Sequence, residues 1–401
     1  MPNVEAMIAN LAAHRRRWED LMRLRHVQVP AMDIGPLDMG PSGDHLTEVT
    51  AFGSNPGALR MFKYVPEQPE PALVVVLHGC TQTAAAYDLG AGWSTLADRY
   101  GFVLLLPQQQ PANNPNGCFN WFLSGDIARG KGEALSIRQM VETMIRDHGI
   151  DRGRVFVTGL SAGGAMACVM LAAYPDTFAA GAVIAGLPYG TATNVKEAFE
   201  SMFQVRPRTG RAWGDLVRAA SPHRGPWPRL SVWHGGADPV VKPQNADQIV
   251  RQWANVHGLD QESTLTETVD GYPRQVWRNR AGVDVIEAYT IPGMAHGTPL
   301  ATGGSDRQCG AAGAFMLEVG ISSSYHIAKF WGLTGHPRAA AAKPHKPARI
   351  LPVLPRTGRP KAADAPAAVA PRPMSRRQVL AHDVHAVIAK ALKAAGLWNS
   401  P

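Results

Sequence analysis

The sequence predicts an α/β protein with a mostly parallel central sheet and helices on both of its faces. Three observations carry that prediction. Short, unbroken apolar runs rich in β-branched residues recur along the middle of the chain. Longer segments with helical periodicity separate them. The composition, 45% hydrophobic and 18% charged over 401 residues, excludes a disordered chain and supplies enough apolar side chains for one large core.

Taken in order, residues 4–25 place Val4, Ile8, Leu11, Trp18, Leu21 and Met22 at a loose helical spacing, so 1–35 reads as an N-terminal helical segment. Pro30 and the glycine- and proline-rich stretch 35–43 end it. The predicted strands then follow. Leu73–Leu77 is bounded by Pro71 and Gly79, Phe102–Leu106 stops at Pro107, and Arg154–Thr158 stops at Gly159. Further runs are Gly181–Ile184, Leu230–Trp233 and Val285–Tyr289. A strand with one wet face alternates apolar and polar residues, so continuous apolar runs imply cover on both sides. Gly132–His148 and Ala162–Tyr174 read as covering helices. Residues 36–335 are therefore expected to form one α/β domain.

The character changes at His336. Residues 336–374 hold 9 Pro and 11 Ala in 39 positions, with basic residues between them, which is the composition of a semi-extended linker. In 375–401 a helical pattern returns, with Val379, Leu380, Val384, Val387, Ile388, Ala391 and Leu392 on one face. Charge follows the same division. Residues 1–335 carry 28 Lys/Arg against 30 Asp/Glu, and residues 336–401 carry 12 against 2, so the net +8 belongs to the tail. The tail lacks interleaved aromatics for base stacking, so no nucleic-acid partner is expected.

Four cysteines (Cys80, Cys118, Cys168, Cys309) and 14 histidines are scattered without metal-ligand spacing, so neither a metal nor any other cofactor is expected. The apolar stretch 7–13 is short and precedes its charges, unlike a secretory signal, and no run approaches the ~18 apolar residues of a membrane span. A cytoplasmic location is the expectation.

The sharpest chemical signal is Gly159-Leu160-Ser161-Ala162-Gly163, between a predicted strand and a predicted helix. This is the pattern of a turn that holds a serine hydroxyl exposed at a helix N-terminus, its flanking glycines leaving room for the neighbouring strand and helix. A hydroxyl needs a base, and the base needs a carboxylate to orient it. Both stand past later strand ends in the order this arrangement demands: Asp238 after Leu230–Trp233, and His296 after Val285–Tyr289. Alone, Asp238 before Pro239 reads as a turn residue and His296 as a loop histidine; their order after Ser161 lifts both. His234 breaks that order and is the weaker base. For the oxyanion, the expected donors are the amides of Ala162 and of Cys80, the latter in His78-Gly79-Cys80-Thr81-Gln82. His78 reads as a structural histidine within its loop.

Several segments together resemble the polyhydroxybutyrate depolymerase family of esterases: Leu77–Gln82, Cys118–Phe122, Gly132–Ile137, Gly159–Gly164, His234–Val241, Ala295–Leu300 and Gly320–Ser324. The resemblance covers about residues 45–335 and extends to feruloyl and acetylxylan esterases. It implies an α/β-hydrolase fold with Ser161 as nucleophile, Asp238 as acid and His296 as base. The chain departs from the secreted members in its few cysteines, lack of a recognisable signal and basic Pro/Ala linker, which favours the intracellular members that mobilise stored polyester. Asn120 and Trp121 are candidates for a substrate groove, although Trp121 suits a half-buried packing role equally.

The sequence thus points to a serine ester hydrolase acting on poly(3-hydroxybutyrate) or its oligomers, with the C-terminal tail docking on a polymer granule or folding back on the domain. A feruloyl or acetylxylan esterase is the alternative within enzymes. A granule-surface binding protein with a vestigial hydrolase domain is the alternative outside them.

Overall fold

The computed structural model describes residues 45–205 and 207–335. The N-terminal helical segment, the linker 336–374 and the C-terminal helix expected from the sequence lie outside the described residues.

The strands are β1 (Thr47–Val49), β2 (Arg60–Tyr64), β3 (Leu73–Leu77), β4 (Val103–Gln108), β5 (Val155–Leu160), β6 (Ala180–Ile184), β7 (Arg229–Gly235), β8 (Leu265–Val269), β9 (Tyr272–Arg278), β10 (Asp284–Ile291), β11 (Thr298–Leu300) and β12 (Met316–Glu318). The helices are α1 (Ala84–Ala91), α2 (Trp93–Tyr100), α3 (Ser124–Ile127), α4 (Gly132–His148), α5 (Ala162–Ala173), α6 (Val195–Phe203), α7 (Gly210–Ala219), α8 (Gln244–His257) and α9 (Ser323–Phe330).

Ten strands form one sheet in the order β1-β2-β4-β3-β5-β6-β7-β10-β9-β8. Its middle six, β4 to β10 in that order, run parallel. They are the six strands expected from the apolar runs. The reason those runs do not alternate is visible in the packing. Leu73, Val75 and Leu77 of β3 face one core, with α4, α5 and α8, while Val74 and Val76 face a second, with α1, α2 and α9. Each side chain of β3 is buried whichever way it points.

The edges were not anticipated. β2 joins β4 antiparallel, β1 joins β2, and β9 and β8 extend beyond β10 in the same antiparallel manner. These strands are mixed in polarity and partly exposed, and β8 is largely wet. Between β6 and β7 the chain forms α6 and α7, and α7 packs on α8 with Trp213 Nε1 donating to Gln248 Oε1 at 2.8 Å.

One buried acid lies inside the sheet. Glu287 of β10 accepts from Ser231 Oγ of β7 and Arg274 Nε of β9, both at 2.7 Å. Burial pushes its carboxyl pKa up and the Arg274 charge pulls against that. No helix among the described residues is long and apolar enough to cross a membrane.

Candidate active site

The loops at the C-terminal ends of the parallel strands carry the candidate residues, the place where such sheets bind ligands. Three non-glycine residues there take left-handed backbone angles: Thr81 beyond β3 (φ 65°), Ser161 after β5 (φ 57°) and Ala185 after β6 (φ 47°). Strain of this kind costs about 1–3 kcal/mol per residue and gathers where function demands it.

Ser161 links β5 directly to α5 at φ 57°, ψ −117°, with its amide donating to Ile184 O at 2.9 Å. The turn is possible only because its flanks are bare. A Cβ on Gly159 would lie 2.4 Å from the Gly163 carbonyl, and one on Gly163 would lie 2.2 Å from Leu77 O. The result is a half-buried serine at the N-terminus of a helix whose twelve residues are all buried. Its hydroxyl makes no hydrogen bond among the described residues, His296 included. Such contacts are commonly open until substrate seats.

The acid and base loops are stitched together by backbone. Gly236 N donates to Ile291 O at 2.8 Å and Ala237 N to Met294 O at 3.0 Å. This brings Asp238 and His296 into contact, with His296 Nδ1 2.7 Å from Asp238 Oδ2. A carboxylate only accepts, so Nδ1 carries the proton and Nε2 keeps the free lone pair of a base. The other carboxylate oxygen accepts from the amides of Val240 and Val241 at 2.8 and 2.9 Å. Burial opposes ionisation of Asp238, but hydrogen bonds from His234 and His296 outweigh it and hold the carboxyl well below the usual range.

The loop after β3 forms a four-residue turn in which Gln82 N donates to Gly79 O at 3.3 Å. Thr81 N donates to Asn116 O at 2.8 Å, and a Cys80–Cys118 disulfide spans the same gap. The Cys80 amide donates to no group among the described residues, and Ala162, as the first residue of α5, has no intrahelical acceptor for its own.

Asn120 and Trp121 follow the disulfide and are buried. Trp121 is 8% exposed and packs in the core edge-on to Phe122, with ring centroids 5.3 Å apart. Asn120 N donates to Glu133 Oε2 at 2.9 Å, and Gln109 Nε2 donates to Glu133 Oε1 at 2.5 Å. Glu133 is buried behind the loop, and burial raises its pKa to about 8.

Sequence reasoning missed three participants. Cys118 as the partner of Cys80 carries no local signal, since 38 residues separate them. Glu133 falls inside the predicted helix 132–148, and nothing in that pattern assigns it a partner. His234 was weighed only as a base, and the geometry makes it a second donor to Asp238, at 3.2 Å.

The family model described as "Esterase PHB depolymerase" matches residues 65–268. The chain belongs to this family. Within the Esterase PHB depolymerase family, it is 52% identical over 293 residues to poly(3-hydroxyalkanoate) depolymerase C of Paucimonas lemoignei, covering 72% of this chain and 70% of that protein. It is also 36% identical over 272 residues to an acetylxylan esterase of Coprinopsis cinerea, covering 65% and 70% of the two chains. Feruloyl esterase B of Talaromyces funiculosus is 34% identical over 266 residues, covering 63% and 73%. Among solved structures, an acetyl xylan esterase from Aspergillus awamori superposes with a TM-score of 0.61 at 27% identity, over 72% of this chain and 99% of that one. The protein is a carboxylic ester hydrolase with the α/β-hydrolase fold.

Proposed function

We propose that this esterase hydrolyses poly(3-hydroxybutyrate) or its oligomers through an acyl-enzyme. Ser161 attacks the ester carbonyl while His296 Nε2 takes its proton; Asp238 holds the imidazole tautomer and stabilises its charged form. The amides of Cys80 and Ala162 receive the tetrahedral oxyanion, His296 returns the proton to the leaving alkoxide, and water clears the acyl group by the same route. The observation that carries this mechanism is the 2.7 Å His296–Asp238 contact, made by two loops at the same sheet rim as the strained Ser161 elbow. The substrate reading leans on the 52% identity to a poly(3-hydroxyalkanoate) depolymerase, against 34–36% for the xylan and ferulate esterases. Asn120 and Trp121 are proposed to form the floor of the acyl site, the buried Trp121 supporting it from behind.

The Ser161→Ala variant should fold normally and lose p-nitrophenyl butyrate hydrolysis by about 10³–10⁶-fold, together with labelling by a fluorophosphonate. Activity retained in that variant overturns the mechanism. A wild-type protein that takes no label is the vestigial domain of the non-enzyme alternative. Faster cleavage of methyl ferulate or acetylated xylan than of 3-hydroxybutyrate oligomers overturns the substrate.

Two further readings belong to the same proposal. The basic tail 336–401, with the apolar stripe that the sequence predicts for 375–401, is proposed to dock on the polyester surface. Its deletion should lower activity on polymer granules and spare soluble esters, and equal losses on both count against it. The Cys80–Cys118 disulfide favours an oxidising compartment over the cytoplasm expected from the sequence. Fractionation with thiol trapping tests this: the protein recovered in the cytoplasm with both thiols reduced restores the original expectation.

A further inference from the structure

His78 stands at the end of β3, 1% exposed, with Phe119 against its ring at a centroid distance of 4.9 Å. Both of its ring nitrogens are engaged. Nε2 lies 3.1 Å from the backbone N–H of Gln109, and Nδ1 lies 2.7 Å from Gly79 O. The Gln109 amide can only donate, so Nε2 must be the bare acceptor. The proton is therefore on Nδ1 and is donated to the Gly79 carbonyl. Burial lowers the pKa of His78 to about 4, which keeps the ring in this neutral form.

The acceptor in that bond is the carbonyl half of the Gly79–Cys80 peptide, and the other half is the Cys80 N–H. A trans peptide is planar, with C=O and N–H pointing in opposite directions, so whatever anchors the carbonyl also aims the amide. Gly79 has no side chain to restrict rotation of this plane. Apart from His78, the carbonyl is held, among the described residues, only by Gln82 N at 3.3 Å. We propose that His78 is a positioning residue for ester hydrolysis, which orients the Gly79–Cys80 peptide through its Nδ1–H and thereby aims the Cys80 N–H at the oxyanion. The bond also polarises the peptide and makes its N–H a better donor. The inference rests on the reading of Cys80 as an oxyanion donor. It gives the imidazole no proton-transfer role.

The test compares p-nitrophenyl butyrate with its thionoester, whose sulfur is a poorer partner for amide donors. His78→Asn keeps an N–H at the position of Nδ1, whereas His78→Gln keeps an acceptor at the position of Nε2 and loses that donor. We expect His78→Gln to lower kcat by about 10–100-fold, part of the 10²–10³ lost when an oxyanion donor is removed outright. KM should change far less, and the wild-type preference for the oxygen ester should shrink. His78→Asn should retain most of both. An unchanged oxo/thiono preference in a folded His78→Gln protein overturns the proposal, as do equal kcat losses in the two variants. A wild-type enzyme that does not prefer the oxygen ester overturns the oxyanion reading itself, and this proposal with it. If His78→Gln does not fold, ¹⁵N-histidine NMR of the wild type decides: an Nδ1–H tautomer that persists through the neutral pH range supports the assignment, and an Nε2–H tautomer overturns it.

Discussion

His234 Nε2 lies 3.2 Å from Asp238 Oδ2, the same oxygen that His296 approaches to 2.7 Å. Nε2 also lies 2.8 Å from Val241 O, so it faces two acceptors and must carry a proton. The acid thus has two histidine donors, one from the strand below it and one from the base loop. His234→Leu removes a buried bond to a charged group, an interaction worth about 1.5–3 kcal/mol. We expect kcat/KM to fall by about tenfold or more while Ser161 remains open to fluorophosphonate labelling. His234→Gln, which restores an N–H near Nε2, should recover part of the loss. Steady-state kinetics on p-nitrophenyl butyrate checks both.

Glu133 predicts a pH dependence of stability. Its folded pKa, raised from 4.5 to about 8 by burial, lies above the unfolded value. Between those two pH values the folded state holds a proton that the unfolded state has lost, so stability is greatest at the acidic end and falls as pH rises. The slope reaches at most ~1.4 kcal/mol per pH unit and flattens above pH 8. The groups facing the carboxyl are Gln109, the backbone and side chain of Asn120, and Asp126. Glu133→Gln cannot ionise and turns an amide N–H₂ toward one of two donors, so it should be less stable near pH 5 by about 1–2 kcal/mol. Its denaturation midpoint should vary less with pH. Urea titrations of both proteins from pH 5 to 9 measure the two slopes.

The Cys80–Cys118 bridge closes a 38-residue separation. Chain entropy gives such a crosslink about 3–4 kcal/mol of stabilisation. Cys118→Ser should therefore lower the thermal midpoint by several degrees and loosen the loop that carries the Cys80 amide. The free Cys168 and Cys309 are both buried. The chain unfolded without reductant should titrate two thiols, rising to four after reduction; four before reduction refutes the bridge.

Arg274 and Glu287 hold the antiparallel edge to the parallel sheet. Glu287 is buried and Arg274 also reaches Glu267 and Asp284. Arg274→Leu leaves a buried carboxylate with one hydroxyl partner, which should cost about 3–5 kcal/mol. The double variant Arg274→Leu, Glu287→Leu should recover much of that loss. Chemical denaturation of the four proteins in the cycle gives the coupling directly.

The amino-acid order alone determined the six parallel strands and two helices, 132–148 and the one that runs from Ala162 to Ala173, a residue short of its expected end. The physical reason is burial on two faces, which leaves unbroken apolar runs where it occurs. It also marked Ser161, because a serine elbow needs bare flanks and those glycines are local. Asp238 and His296 were legible from their order past later strand ends, but their contact is not a local property: it depends on backbone bonds between residues 236–237 and 291–294. Tertiary structure decided what the local pattern leaves open. It paired Cys80 with Cys118, turned His234 toward Asp238, seated Glu133 behind Asn120 and attached the polar edge strands. In each case the residue type is compatible with several environments, and the packing that selects one is set by the fold: Cys118 reaches Cys80 across 38 residues, while His234 meets Asp238, four positions on, only because the loop after β7 turns back over its strand.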